Sequence, residues 1–534
     1  MAKTLHEPDF DVVIVGAGFA GMYLLHRARA QGMSVRVLEA GSGVGGTWYW
    51  NRYPGARCDV ESMQYSYQFD EQLQAEWNWS ERYAPQPEIL RYAEHVAERL
   101  DLAPDIQFDT RVATANYDAE GKFWTLTSTV GTSVSGRYYV MATGCLSMPN
   151  WPQIPGLDCF AGDTYHTAQW PHTPVDFKGK RVAIIGTGSS SIQSIPLIAS
   201  EAESLLVFQR TANYSIPARN AALTRAHIDA VKSDYPALRA RAKQTFPGID
   251  GPFNAEPAMA VSESQRQAEY EQRWQRGGLT FMGAYGDLMF DQAANDTLAD
   301  FVRNKIRTIV DHPEVAETLC PTNIIGGKRL CVDTNYYATF NRENVSLIDV
   351  KKNPIDAIDA TGLQLGGRHY DIDILIIATG FDAMTGAISS VDIQGKNGER
   401  LQQLWQHGPC SYLGLAMAGF PNLFTVTGPG SPSVFTNMLP TIEQHVDWIA
   451  ACLQYMSTQN HQEIEATVAA QDTWWQHVQE AAKMGLKSST ESWYMGANVA
   501  GKARVFMPYY GGFPAYCAKC EEVVANDYEG FVFS

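Results

Sequence analysis

Two glycine-rich segments have the residue types and spacing of turns that bind the phosphates of a dinucleotide. An apolar, strand-like run precedes each turn, so each segment predicts a strand, a tight turn and a helix. Glycine lets the backbone approach a pyrophosphate, and the free N–H groups and dipole at the helix N-terminus attract the anion. The turn residues are Gly16, Gly18 and Gly21 in the first segment and Gly186, Thr187, Gly188, Ser189 and Ser190 in the second. Two dinucleotide sites are therefore predicted, with two purely structural turns as the alternative.

The charged residue that follows the next predicted strand has opposite sign in the two segments. Glu39 follows the first and Arg210 follows the second. A carboxylate accepts hydrogen bonds from ribose hydroxyls, such as those of the adenosine in FAD, whereas a guanidinium pairs with a 2′-phosphate, as in NADPH. The pattern predicts FAD in the first unit and NADPH in the second.

The composition excludes several classes of partner. The chain has 534 residues, 45% of them hydrophobic, and a formal net charge of -17, which disfavours nucleic acid and anionic membranes. It contains no apolar run of about 18 residues, which a membrane-spanning helix needs. Residues 1–11 carry acids rather than the basic start of a secretory signal, and nine scattered cysteines are typical of reduced thiols. We expect a cytoplasmic protein with no nucleic acid, membrane or obligate protein partner.

The order of the predicted elements indicates an α/β fold with two Rossmann-like dinucleotide-binding domains, for FAD and NADPH. Charged, helix-forming stretches such as residues 262–276 predict a helical insertion in the NADPH domain. After residue 388 the aromatic-rich sequence predicts strands and loops that complete the FAD domain. The predicted boundaries are 1–150 and 388–534 for the FAD domain, 151–219 and 322–387 for the NADP domain, and 220–321 for the insertion.

Residues 47–50, a threonine followed by three aromatic residues, follow the first unit closely enough to lie along the flavin. Disulfide reductases of this architecture have a cysteine pair at this position. This chain has aromatic residues there instead and so lacks the dithiol relay, which leaves oxygen as the electron acceptor of the reduced flavin. Cys517 and Cys520 form a distant C-x-x-C, but no βαβ pattern surrounds it and no second ligand pair accompanies it. We predict no metal site, and at Cys517 and Cys520 ordinary thiols are favoured over a redox pair, which stays open as the alternative.

Residues 160–171 read F-A-G-D-T-Y-H-T-A-Q-W-P and resemble the F-x-G-x-x-x-H-T-x-x-W-P fingerprint of type I Baeyer-Villiger monooxygenases, a group of class B flavoprotein monooxygenases. The similarity is greatest to the phenylacetone, steroid and cyclohexanone monooxygenase branch. Flavin-containing N- and S-oxygenases share the nucleotide units but lack the Thr-x-x-Trp-Pro ending. The matching positions are Phe160, Gly162, His166, Thr167, Trp170 and Pro171. We place them on a linker between the nucleotide domains, where a structural or hinge role for His166 is favoured over direct participation in the chemistry.

The resemblance implies an activity. In that family NADPH reduces FAD, O2 forms a C4a-peroxyflavin, and the peroxide attacks a small-molecule ketone. The tetrahedral (Criegee) adduct then rearranges to an ester or lactone, NADP+ stays bound during catalysis, and sulfoxidation is a side activity. The open alternatives are an enzyme that mainly oxygenates amines or sulfides and a flavin-based redox sensor without catalysis.

Such a reaction needs a fixed cation that keeps the peroxide deprotonated and stabilises the developing oxyanion. A guanidinium is permanently charged and forked, so it can do both. The resemblance assigns this catalytic role to Arg329 and its positioning to Asp59. Without the family context, Arg329 would be an ordinary surface arginine and Asp59 a loop acid in an Asx turn.

The resemblance also implies further contact residues. For FAD they are Gly16, Gly18, Gly21, Glu39, Thr47, Trp48, Tyr49, Trp50, Asp59, Tyr65, Val112 and Met438. For NADP they are Arg57, Gly186, Thr187, Gly188, Ser189, Ser190, Arg210, Thr211, Lys328, Arg329 and Trp493. For the substrate pocket they are Phe435, Met438 and Leu439, for which plain core packing is the alternative.

Overall fold

The computed structural model describes residues 7–534, so the first six residues of the predicted FAD domain and of the acidic N-terminal segment lie outside the described part. The strands are β1 (Phe10–Val15), β2 (Val35–Leu38), β3 (Ile106–Gln107), β4 (Val112–Asp118), β5 (Phe123–Ser128), β6 (Ser133–Met141), β7 (Asp163–His166), β8 (Arg181–Ile185), β9 (Ser204–Gln209), β10 (Ser215–Pro217), β11 (Cys331–Asp333), β12 (Val345–Asp349), β13 (Ala357–Ile358), β14 (Gly362–Leu365), β15 (Arg368–Asp371), β16 (Ile374–Ile377), β17 (Asp392–Gln394), β18 (Leu423–Thr425), β19 (Ile464–Ala466) and β20 (Phe531–Phe533). The α-helices are α1 (Phe19–Ala30), α2 (Thr47–Trp50), α3 (Glu71–Glu76), α4 (Gln86–Arg99), α5 (Ser189–Glu201), α6 (Arg225–Ser233), α7 (Tyr235–Lys243), α8 (Glu263–Arg276), α9 (Gln292–Ile309), α10 (Pro313–Leu319), α11 (Tyr336–Thr339), α12 (Gly386–Ser389), α13 (Leu401–Leu404), α14 (Met438–Gln459), α15 (Val468–Lys483) and α16 (Phe513–Ala525).

The first large sheet is built around the buried strand β1. Its strand order is β17-β4-β5-β6-β1-β2-β3, with β18 beside the C-terminal half of β6. β1 pairs in parallel with β2 and β6, which aligns Val12 with Val35 and Tyr138. β4, β5 and β6 form an antiparallel meander. The predicted strand, turn, helix and strand of the first unit are confirmed to within one residue.

The second large sheet is entirely parallel, in the order β12-β9-β8-β16-β7. Helix α5 connects β8 to β9, which gives the second strand-turn-helix-strand unit that the sequence predicts. Its edge strand β7 contains the first part of the fingerprint, and His166 lies opposite Ile377 of β16. The prediction of a linker is therefore wrong for residues 163–166, because their backbone forms hydrogen bonds with β16. The α/β class with two Rossmann-like units is confirmed.

Helices α6 to α10 lie within residues 220–321, the predicted helical insertion. The predicted helix at 262–276 is α8. It begins with a capping box, in which Ser262 and Gln265 each satisfy the backbone N–H of the other. The boundaries of the insertion and of the other predicted domains stay predictions.

The C-terminal part is more helical than the sequence analysis predicted. α14 has 22 residues, and α15 and α16 follow it, so the expectation of mainly strands and loops after residue 388 is wrong for these segments. The buried face of α14 consists of apolar residues three or four positions apart, which are Leu439, Ile442, Val446, Ile449, Leu453 and Met456. α14 packs against α1, where the Tyr23 hydroxyl donates a 2.8 Å hydrogen bond to Asp447 Oδ1.

The two nucleotide units meet where the loop 53–59 contacts α5. Gly55 has φ +80°, and a Cβ there would lie 2.4 Å from the Gln193 carbonyl oxygen. The Tyr53 hydroxyl donates to Gln193 Oε1 at 2.9 Å, and Gln193 Nε2 donates to the Arg57 carbonyl at 3.1 Å. The contact fixes this loop of the first unit against the helix that follows the second glycine turn. No helix within residues 7–534 combines the length and apolar character needed to cross a membrane.

A pair of substitutions at equivalent turn positions tests the packing of the two units. A Cβ on Gly21 would lie 1.8 Å from the Gly16 carbonyl oxygen, whereas Ser191 already carries a Cβ and its buried hydroxyl has no described partner. We expect Gly21→Ala to lower the free energy of unfolding by about 1–3 kcal/mol through overpacking, and Ser191→Ala to leave it nearly unchanged. Thermal denaturation followed by circular dichroism measures both. Equal melting temperatures for Gly21→Ala and the wild type would contradict the packing described.

Candidate functional site

The first glycine turn leaves a helix N-terminus open for an anion. Gly16 has φ +104°, and a Cβ there would lie 2.7 Å from the Ala142 carbonyl oxygen. α1 begins at Phe19 with Gly18 as its N-cap residue, and no described side chain caps its first N–H groups. Exposed amides at the start of a 12-residue helix bind phosphate through hydrogen bonds and the helix dipole. The turn therefore fits a pyrophosphate.

The second turn repeats this geometry. Gly186 has φ +113°, and a Cβ there would lie 2.4 Å from the Ala378 carbonyl oxygen. A Cβ built on Gly188 would meet no atom of residues 7–534 within 4 Å, so the space beside this glycine is open. Gly188 is the N-cap residue of α5, which begins at Ser189, also without a cap from a described side chain. A second pyrophosphate fits at this position.

Glu39 lies beside the first turn. Its carboxylate accepts hydrogen bonds from the backbone N–H groups of Ala17 at 2.6 Å and Gly41 at 2.7 Å. Burial raises the pKa of Glu39, and these two hydrogen bonds oppose the rise. A carboxylate fixed here has further lone pairs that can accept from ribose hydroxyls.

Two cations lie together beyond the second turn. Arg210 is exposed and directly follows β9. Burial lowers the pKa of Lys328, and the positive charge of Arg210 lowers it further, so the two side chains are close enough to repel. Thr187 Oγ1 donates to the Thr211 carbonyl at 3.0 Å, so the residue after Arg210 is hydrogen-bonded to the second glycine turn. A phosphate between Arg210 and Lys328 would relieve their repulsion, so the residues fit a 2′-phosphate.

The predicted aromatic run forms the short helix α2. Trp48 and Tyr49 are buried, whereas Thr47 is exposed. Trp48 Nε1 donates to the Tyr65 hydroxyl at 3.2 Å. Val112 is also buried, but its side chain packs in a different hydrophobic cluster, on the first sheet, from that of Trp48, Tyr49 and Tyr65.

Arg329 and Asp59 form a forked ion pair where the two units meet. Arg329 Nε donates to Asp59 Oδ2 at 2.9 Å, and Nη2 donates to both carboxylate oxygens at 2.8 Å. Nη1 donates to the Val434 carbonyl at 2.7 Å. Burial disfavours the charged guanidinium, but the Asp59 carboxylate outweighs that effect, so the pKa of Arg329 lies above its ordinary value. The side chains are 28% and 22% exposed, which leaves the cation accessible from one side.

Of the predicted pocket residues Phe435 lies next to this pair, and the three residues differ in burial. Phe435 follows Val434, and its ring packs 4.6 Å from that of Tyr494 and 5.3 Å from that of Tyr510. Phe435 and Met438 are half-buried, whereas Leu439 is fully buried in the core around the first sheet. Trp493 is half-buried, with its ring 4.1 Å from that of Tyr494.

The other NADP candidates and the fingerprint meet around the second turn. Ser190 Oγ donates to Thr167 Oγ1 at 3.2 Å, so the fingerprint contacts the start of α5. His166 is buried, its Nδ1 accepts from the Ala168 N–H at 3.0 Å, and burial lowers its pKa. Arg57, in contrast, is held by Glu81 at 3.2 Å and by the Tyr83 carbonyl at 3.1 Å.

The sequence analysis missed Lys487, Tyr494 and the Val434 carbonyl, although all three lie at the Arg329 site. Tyr494 directly follows the predicted Trp493, and this adjacency is the one feature of the sequence that indicates a place for Tyr494 at the site. Lys487 belongs to none of the motifs. Burial lowers the pKa of its amine to about 7, and the charge of Arg329 adds to that shift.

The C-terminal C-x-x-C lies on α16 with Cys520 fully buried. Burial raises the pKa of Cys517 to about 11 and that of Cys520 to about 12. Both side chains are therefore thiols rather than reactive thiolates near neutral pH.

A family model that describes pyridine nucleotide-disulphide oxidoreductases matches residues 13–222. A Baeyer-Villiger monooxygenase from Pseudooceanicola batsensis is 41% identical over 98% of this chain and 96% of its own length. A phenazine N-monooxygenase from Lysobacter antibioticus is also 41% identical, over 98% and 97%. The structure of an oxidized steroid monooxygenase bound to NADP aligns with a TM-score of 0.94 and 51% identity over 98% of this chain and 99% of that chain.

The chain belongs to the Baeyer-Villiger monooxygenase family. The resemblance found in the fingerprint is thus confirmed along almost the whole chain. Within the family fold, the forked pair of Arg329 and Asp59 and the two glycine turns are the features with the geometry for chemistry and for dinucleotide binding.

Three variants separate the two parts of the predicted NADP site. Lys328→Ala and Arg210→Ala should raise the KM for NADPH about 10- to 100-fold, the loss expected for a charge-assisted hydrogen bond of about 1.5–3 kcal/mol, and spare the KM for NADH. Gly188→Ala should raise both KM values, because its methyl group would occupy the space of the shared pyrophosphate.

Steady-state oxidation of each coenzyme measures these effects, with melting temperature as a control for folding. If Lys328→Ala and Arg210→Ala impair NADH as strongly as NADPH, the 2′-phosphate does not lie between these two cations.

Proposed function

We propose that this protein is an NADPH- and O2-dependent flavoprotein monooxygenase that inserts one oxygen atom beside the carbonyl of a small-molecule ketone, giving an ester or lactone. FAD is assigned to the first glycine turn and Glu39, and NADPH to the second turn with Arg210 and Lys328. FAD reduced by NADPH supplies the activation of O2. Membership of the Baeyer-Villiger family supports the proposal, and FAD and NADP are named in the structure of a family member at a TM-score of 0.96.

The observation that carries the proposal is the forked Arg329–Asp59 pair between the two predicted nucleotide units. A monooxygenase of this type acts on a carbonyl whose oxygen becomes negative as the new C–O bond forms. A permanently charged donor that is already oriented stabilises that charge without reorganising. Simple transfer of electrons between nucleotides has no such requirement.

The residues divide this work in a simple way. Asp59 fixes the plane of the guanidinium through two oxygen atoms, and the Val434 carbonyl fixes its third edge. These hydrogen bonds therefore hold the Arg329 guanidinium in one orientation. It stays protonated throughout, since its pKa is raised, and so acts by electrostatics and hydrogen bonding rather than by proton transfer.

The aromatic residues that pack beside the pair favour an apolar substrate. The Phe435 ring contacts those of both Tyr494 and Tyr510, and Phe435 follows Val434, whose carbonyl accepts from Arg329. Apolar walls exclude water and strengthen the field of the guanidinium.

A cytoplasmic location agrees with the unpaired state of the nine cysteines, all of which lie between residues 58 and 520 of the described chain.

N-oxygenation of a heteroaromatic amine is the second candidate. The specific observation in its favour is the 41% identity to a phenazine N-monooxygenase over 98% of the chain. Attack by a nitrogen lone pair creates no carbonyl oxyanion, so this reaction depends less on a fixed cation. Arg329 therefore distinguishes the candidates.

Arg329→Ala tests the proposal. It should reduce ester or lactone formation from ketones at least about 10²- to 10³-fold, as removal of an oxyanion donor does, while flavin reduction by NADPH changes much less. Oxygenated products are measured by mass spectrometry and reduction by stopped-flow absorbance. Arg342→Ala, at an exposed arginine, is the matched control and should resemble the wild type.

The same assays with a ketone panel and with phenazine give a clear contrary result. If Arg329→Ala retains ester formation, or if the wild type oxygenates phenazine but none of the ketones, the assignment of ketone oxygenation to this site is wrong.

A further inference from the structure

Lys487 is a second cation at the Arg329 site that the proposed reaction does not use. Its Nζ lies 5.3 Å from the centre of the Phe435 ring and 5.7 Å from that of Tyr494, and it donates a hydrogen bond to the Gly326 carbonyl. Phe435 and Tyr494 are the same rings that pack beside Arg329. Lys487 therefore contacts the aromatic cluster that we assign to the ketone.

The charges at this site do not balance. Arg329 is paired with Asp59, whereas no carboxylate among residues 7–534 lies within salt-bridge distance of Lys487. The repulsion by Arg329 and the burial of the amine both disfavour its charge. An anion that enters the site would meet two positive side chains and one negative one, and its own charge would favour protonation of Lys487.

A series of packed aromatic rings connects this cluster with the surface. Phe246 and Phe290 are 38% and 49% exposed, and both rings contact Tyr510, at 5.4 and 6.1 Å. Tyr510 in turn contacts Phe435. The residue before Lys487 lies beside the start of Phe290, because the Leu486 N–H donates to the Met289 carbonyl at 2.9 Å. These ring contacts run from the exposed Phe246 and Phe290 to the cluster beside Lys487 and Arg329.

We propose that Lys487 determines specificity by binding a carboxylate on the substrate, so that this enzyme prefers keto acids to neutral ketones of the same shape. The inference rests on the proposed function, because it assigns the ketone to the cluster beside Arg329. In a bound keto acid the carbonyl lies at Arg329, the apolar body lies on Phe435 and Tyr494, and the carboxylate accepts hydrogen bonds from Lys487. This is a charge-assisted interaction in a partly desolvated site, where such bonds are strong.

Matched pairs of substrates test the proposal with the complete holoenzyme. 5-Oxohexanoate, 7-oxooctanoate and 4-(3-oxobutyl)benzoate are compared with their methyl esters, which keep the carbonyl and remove the charge. For at least one pair, the wild type should show a kcat/KM at least tenfold higher for the acid. Lys487→Met should lower the value for that acid at least tenfold and the value for its ester less than threefold. Lys487→Arg should keep the preference.

Three controls separate recognition from other roles. Lys483→Met, at an exposed lysine on the preceding helix, should behave as the wild type. Flavin content and melting temperature should be unchanged in Lys487→Met. Calorimetric titration of the oxidised holoenzyme with the acid product should show weaker binding for Lys487→Met than for the wild type.

Several outcomes would overturn the proposal. Equal kcat/KM values for every acid and its ester in the wild type would do so, as would equal losses for acid and ester in Lys487→Met. A raised KM for NADPH with unchanged substrate preference would instead make Lys487 a coenzyme ligand. If neither acids nor esters are oxygenated by the wild type, the proposed function itself has failed, which is a distinct result.

Discussion

The structure depends on the ion pair between Arg329 and Asp59. A guanidinium at a largely enclosed position loses much of its hydration, and this loss is offset only when a carboxylate takes up its N–H groups in good geometry. Asp59 does this with two oxygen atoms at 2.8–2.9 Å. Asp59 ends the loop 53–59 of the first unit, and Arg329 precedes β11, which contacts α5 of the second unit. The ion pair therefore also links the two units at the position of the proposed chemistry.

The dinucleotide turns impose the second constraint. In each unit a buried parallel strand ends at a glycine with positive φ, Gly16 or Gly186, and the next helix begins without a cap from any described side chain. In the proposed assignment these turns direct helix N-termini at the phosphates, and Glu39 in one unit and Arg210 in the other offer opposite charges to the two ribose ends. The aromatic cluster around Phe435 lies beside the cation that both units help to position. Cofactor binding and oxygen transfer thus rely on the same junction.

The sequence predicted the parts of the fold that short-range physics controls. Alternation of apolar strand, glycine turn and helix located β1, α1, β8 and α5, and Ser262 marked the start of α8. It failed for α14, where aromatic and β-branched residues obscured a helical spacing that only burial against α1 makes clear. It also failed for β7, because pairing with β16 is a contact between distant segments that local propensity does not encode.

The site shows the same division. Arg329 and Asp59 were predicted through a family resemblance, and the structure brings them together across 270 positions of sequence. Lys487 was missed because an isolated lysine in a polar stretch carries no signal until the fold places it over Phe435 and Tyr494. Arg57 illustrates the opposite case, since it lies in a matching motif but its guanidinium is bound by Glu81.

The central claim is that a fixed positive charge stands beside the reacting centre of the bound cofactors. A crystal structure of the oxidised holoenzyme with FAD and NADP+ measures this most directly. Our account predicts that Arg329 remains paired with Asp59 and that its guanidinium lies within hydrogen-bonding distance of the nicotinamide or the flavin ring. A guanidinium that faces bulk solvent, distant from the flavin while both cofactors are bound, would contradict it.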